Sequence, residues 1–69
     1  MNQVQLEKPV RVIPGSRIQL IHMEDPYPVP IGTCGTVTSI DSMNQIHVKW
    51  DNGSTLAIIP QIDQFTVIG

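Results

Sequence analysis

"QIHVKWDNGSTLAIIP", Gln45 to Pro60, decides the fold. Two runs rich in apolar and β-branched residues flank Asn52-Gly53. A two-residue type I′ turn needs φ > 0 at both central positions, which Asn and Gly adopt at least cost. Such a turn sets a register: with Asp51 opposite Ser54, Trp50 faces Thr55, Lys49 faces Leu56, Val48 faces Ala57, His47 faces Ile58 and Ile46 faces Ile59. Side chains alternate between the two faces of a strand. One face is then expected to carry Ile46, Val48, Trp50, Thr55, Ala57 and Ile59 and to form the core, with Trp50 inside rather than at the open end of the domain. The other carries His47, Lys49, Leu56 and Ile58. That second set is an apolar patch, covered either by another segment of the chain or by a partner or second copy.

Outward from this hairpin, no segment repeats with a helical period, and strand-like runs of about six residues alternate with turn chemistry. Pro14-Gly15 turns the chain into "SRIQLIHM" (Ser16 to Met23), the first strand. "TVTSI" (Thr36 to Ile40) is the second, turned by "DSMN" (Asp41 to Asn44) into the hairpin. Pro60 stops the strand after Ile59, "PQIDQF" (Pro60 to Phe65) reads as a tight or 3₁₀ turn, and "TVI" (Thr66 to Ile68) closes the sheet. The expected fold is all-β, a small five-stranded SH3-like barrel over residues 14–69. Residues 1–13 form an N-terminal extension or, through "VRVI" (Val10 to Ile13), an extra edge strand, since Pro9 opposes a helix there.

A chain of 69 residues makes one domain that buries only about 60% of its unfolded surface, so packing or self-association has to supply its margin of stability. One cysteine excludes an internal disulfide, and no Cys/His set has zinc-site spacing. The formal charge is −2, with four dispersed cations, Lys8, Arg11, Arg17 and Lys49. Phosphate-backbone binding draws on many clustered cations, so nucleic acid is disfavoured as a partner. No apolar run is long enough to span a membrane and no signal peptide is apparent, so a cytoplasmic location is expected, in keeping with a lone free cysteine.

"EDPYPVPIGTCGTV" (Glu24 to Val37) joins the first two strands. Its prolines fall on alternate positions, 26, 28 and 30, whereas polyproline recognition uses a three-residue spacing, so it is a poor ligand for another module. As a receptor lip it is better suited. Proline fixes φ and would hold Tyr27, Pro28 and Pro30, with Val29 among them, as an apolar shelf with one polar handle, and the Asp51 to Gly53 turn is a second contact. The alternative is a stiff loop whose Tyr27 packs on the barrel end. Gly32 and Gly35 read as the bend that returns the chain to the sheet.

Catalytic readings are weak. Cys34 would need His22 or His47 within hydrogen-bond reach and a basic neighbourhood to become a nucleophile. On a strand, His22 and Glu24 share a face while Asp25 points away, which makes a poor metal site, and "DNGS" lacks the further carboxylates of a calcium loop. Asp41 and Asp51 are expected to be turn residues whose carboxylates bond the local backbone. No cofactor is expected.

The succession "PGSRIQLIHMEDPYPVPIGTCGTV", then "QIHVKWDNGSTLAIIP", then Asp63 before Phe65, resembles a family of small domains of unknown function from Gram-positive bacteria, their phages and mobile elements. The likeness runs from about Pro14 to Ile68. Its most specific pieces are Met23, Asp25 and Pro26, then Gly32, Thr33, Gly35, Thr36 and Val37, and "WDNG" with Leu56. More distantly the pattern is similar to SH3-like modules of ubiquitin ligases and to ribosomal and transcription-factor barrels. The resemblance implies contacts with protein or nucleic acid and no catalysis. It also implies a basic residue at the position of Cys34 in many relatives, which makes a thiol mechanism peculiar to this chain.

Together these readings describe a non-catalytic binding module, encoded by a phage or mobile element, that meets a protein or a small polar ligand through Tyr27, Pro28 and Pro30, with Asp51 and Asn52 nearby. His47, Leu56 and Ile58 are the candidate interface if the chain forms a homo-oligomer. The alternatives are a viral counter-defence protein that sequesters a host nucleotide signal, with its pocket between subunits, and a nucleic-acid-binding barrel.

Overall fold

The computed structural model describes residues 12–69, and within them the chain is all-β. Four strands, β1 (Arg17–His22), β2 (Cys34–Ile40), β3 (Ile46–Trp50) and β4 (Gln64–Val67), form one antiparallel open sheet in the order β3-β2-β1-β4. No helix of the described residues is long and apolar enough to cross a membrane. The expected edge strand over Val10 to Ile13 begins outside the described residues; Val12 rests against the core and Ile13 is exposed, neither in a strand.

Alternation places the core. Ile18 and Leu20 of β1, Gly35 and Val37 of β2, and Ile46, Val48 and Trp50 of β3 all turn to the same side, joined by Met23, Val29 and Ile58. Ile18 pairs with Gly35 and Gly35 pairs with Trp50, so one cross-strand row runs through the middle of the core. Gly35 serves there by its size. A Cβ would lie 2.6 Å from Val48 Cγ1 and 2.9 Å from Trp50 Cε3. The bend expected at Gly35 is absent, because the residue sits inside β2; Gly32, with φ +91, makes the turn.

The decisive hairpin departs from its expected register by one residue. Gly53 N–H donates to the Trp50 carbonyl and Trp50 N–H to the Ser54 carbonyl, so three residues, Asp51, Asn52 and Gly53, form the loop and Trp50 faces Ser54. Only Gly53 of the three has positive φ, at 93. This is a three-residue connection with a left-handed glycine, the commonest alternative to the two-residue turn. Ile46 and Ile58 then exchange both backbone hydrogen bonds, where Ile59 had been expected opposite Ile46.

A one-residue slip moves every side chain of a strand to the other face. Ile58 is 0% exposed and Leu56 packs against the core, whereas Ile59 is 36% exposed. Leu56 and Ile58 thus do not form an outward patch with His47, and the interface expected from those three residues is corrected. Trp50, 1% exposed, is a core residue. Its indole N–H donates to the Leu56 carbonyl at 2.8 Å, which satisfies the donor that burial would otherwise leave unpaired. Residues 54–57 make no ladder with β3, so the fifth expected strand is reduced to the single bridge at Ile58.

Candidate functional site

The loop between β1 and β2 is bound to the body of the protein at both ends. Asp63 is 6% exposed, and its two carboxylate oxygens accept from Glu24 N–H at 2.8 Å and from Ile59 N–H at 2.9 Å. One buried side chain therefore joins the start of the loop to the turn before β4. At the other end, Gly32 N–H donates to the Leu20 carbonyl, Leu20 N–H to the Thr33 carbonyl, and Gln19 Nε2 to the Gly32 carbonyl. Between the two ends Val29 enters the core.

What this frame presents is Tyr27. Asp25 Oδ1 accepts Tyr27 N–H at 2.9 Å, a local turn that fixes the backbone while the ring, 86% exposed, touches little of its own protein. Pro28, Pro30 and Ile31 are exposed beside it in the chain. The expected shelf thereby gains Ile31 and loses Val29, which is buried in the core, and the alternative in which Tyr27 packs on the barrel end does not occur. Alternation explains the split: with Val29 inward, Pro28 and Pro30 turn outward.

Asp51 and Asn52 flank the far end of this loop, since Asp51 N–H donates to the Cys34 carbonyl. Their side chains are already engaged. Asp51 was expected to bond its own backbone; instead it takes a two-point contact from Arg17, Nη1 to Oδ1 at 2.9 Å and Nη2 to Oδ2 at 2.7 Å, while Arg17 also reaches Thr36 Oγ1. The pair holds the Asp51 carboxyl below its ordinary range, through the hydrogen bond first and charge second, and raises Arg17. Asn52 Oδ1 accepts Ser54 N–H. Asp41 does behave as a turn residue, taking Met43 and Gln45 N–H, and it also bonds His47 Nε2 at 2.9 Å. His47 first, then Gln45, lowers the Asp41 pKa.

Neither histidine is offered to Cys34. His22 bonds Glu24 and His47 bonds Asp41, while the half-buried thiol has only the Gly32 carbonyl at 3.9 Å. Among the described residues no three His, Cys, Asp or Glu side chains are grouped to hold a metal ion, and no cavity is enclosed. Asp63 and Ile31 are the residues that sequence reasoning missed. Asp63 read as part of a turn, and the one available signal was its place just before Phe65 in the family-like pattern.

These features define a small all-β domain that presents a stiffened surface loop. The chain belongs to a family described as a domain of unknown function, DUF4314, whose model matches residues 5–68. No curated protein and no solved structure matches it.

Proposed function

We propose that this protein is a non-catalytic binding module that contacts a protein partner through the loop carrying Tyr27, Pro28, Pro30 and Ile31. The observation that carries the reading is the exposure of Tyr27 on a backbone fixed at both ends. A large ring left in water gains little for folding, whereas aromatic side chains on rigid backbones are favoured contact residues because little entropy is lost when they bind. Small polar ligands are usually held in concave sites, so a protein surface suits this loop better. Ile59, Pro60 and Ile62 are also exposed, on the turn that Asp63 ties to the start of the loop.

A coiled, SH3-like barrel is the finer fold we assign. Ile58 bridges to β3, yet Gln64 begins β4 opposite His22 of β1, at the other edge of the sheet. Six residues reach at most about 22 Å. In a flat sheet the two points would lie roughly 30 Å apart or more, from four strand spacings of about 4.8 Å and some eight or nine residues of axial offset. Coiling brings the edges together and supports residues 54–58 as a fifth, irregular strand. The family resemblance supports a phage- or element-encoded protein, and the lone free cysteine a cytoplasmic one.

The test is capture of partners from host extract on immobilised protein, with Tyr27→Ala beside the parent. Because the ring contributes nothing to the core, the variant should keep its melting temperature and lose the captured partner. An unchanged set of captured proteins would refute the lip.

A further inference from the structure

We infer that Asn52-Gly53 is a site of spontaneous covalent modification in the folded protein, at which the Asn52 amide is converted to aspartyl and isoaspartyl forms. Both residues are exposed, and apart from the chain neighbours of Gly53 nothing among the described residues lies within 4 Å of where a Cβ would stand. The nucleophile is the Gly53 backbone nitrogen, which follows Asn52 in the chain and closes a five-membered ring on its side-chain carbonyl carbon, so the two reacting atoms need no encounter. Glycine has no side chain to hinder the approach.

The turn adds an electrophilic contribution of its own. Ser54 N–H donates to Asn52 Oδ1 at 3.0 Å, and this is the oxygen on which negative charge develops when the carbonyl is attacked. A fixed donor at that position stabilises the intermediate in the same way as an oxyanion hole. Solvent base removes the Gly53 N–H proton, the nitrogen bonds to Cγ, and ammonia leaves with a proton from solvent, which closes a five-membered imide. Water then opens the imide. Addition at the former side-chain carbonyl yields aspartate, and addition at the former backbone carbonyl yields isoaspartate, whose main chain is one carbon longer. The opposing force is the bond from Gly53 N–H to the Trp50 carbonyl at 2.9 Å, which must open before attack.

Either product places a carboxylate next to Asp51, the partner of Arg17. The isoaspartyl product also lengthens the connection that sets the hairpin register. The experiment incubates the intact folded protein in mildly alkaline buffer at 37 °C, samples it over weeks, and cleaves it after Lys49 for mass spectrometry. The expected result is a mass gain of an amide-to-acid conversion in the peptide 50–69, resolved into two isomers, faster at higher pH and absent in Asn52→Asp. Mass gain that appears only when guanidinium unfolds the chain would overturn the proposal, because the Trp50–Gly53 bond would then keep the nucleophile from its target.

Discussion

Asp63 is the residue on which the presented loop depends most. Its two oxygens accept from backbone groups 39 positions back and four positions back in the chain, and the side chain is buried. Each donor left without a partner costs about 1–3 kcal/mol, toward the lower end where water can reach it. Asp63→Ala should therefore lower stability by about 2–3 kcal/mol, and Asp63→Asn, which keeps one acceptor, by less. Urea unfolding of the two variants beside the parent checks the order; equal midpoints for all three would show that the contact contributes nothing. Little of this was legible in the sequence, where only the place of Asp63 before Phe65 in the family-like pattern marked it. A carboxylate in a turn reads as local, and only the folded chain brings Glu24 within its reach.

At the scale of elements, four of the five expected strands were legible, the one after Asn52-Gly53 being reduced to the bridge at Ile58, and the register was not. β1, β2 and β3 appear within a residue or two of where alternation and turn residues put them. β4 begins two residues earlier than expected, within the stretch read as a turn. Asn52-Gly53 fits either a two-residue turn with both φ positive or a three-residue loop with only the glycine left-handed, and the two differ by one register step. "AIIP" offers an isoleucine on either face, which hides the choice further. The deciding signal was available on the facing strand: Leu56 with Ile58 makes a more apolar set than Thr55 with Ala57. The observed register predicts unequal costs for neighbouring residues. Ile58→Ala should destabilise by about 2–5 kcal/mol, as for other fully buried isoleucines, whereas Ile59→Ala, on a half-exposed site, should cost under about 1 kcal/mol. Reversed costs in chemical denaturation would restore the two-residue turn.

For the molecule as a whole, two carboxylates, Asp51 exposed and Asp41 half-buried, couple folding to acid. Asp51 and Asp41 are held below their ordinary value of 3.8 by Arg17 and by His47 with the Gln45 backbone. A carboxyl whose pKa is lower in the folded than in the unfolded chain binds fewer protons when folded. Its stabilisation is therefore present above that ordinary value and is lost as pH falls through the lowered one. Denaturation midpoints should be insensitive to these groups near neutral pH and should drop below about pH 4, with a shallower drop in Asp51→Asn and Asp41→Asn. An identical acid profile in the double variant would remove both groups from the account. High salt should weaken the Arg17–Asp51 contact, because both side chains are open to solvent.

Val29 is a core residue set in the middle of the most exposed loop, six positions after Met23, another buried one. The loop is thus stitched to the interior twice, with short spans between the stitches. Substitutions at Tyr27 and Ile31 change what the surface shows without touching what holds it. Under the proposed binding role, this display can change its contacts while the two anchors, Met23 and Val29, stay apolar.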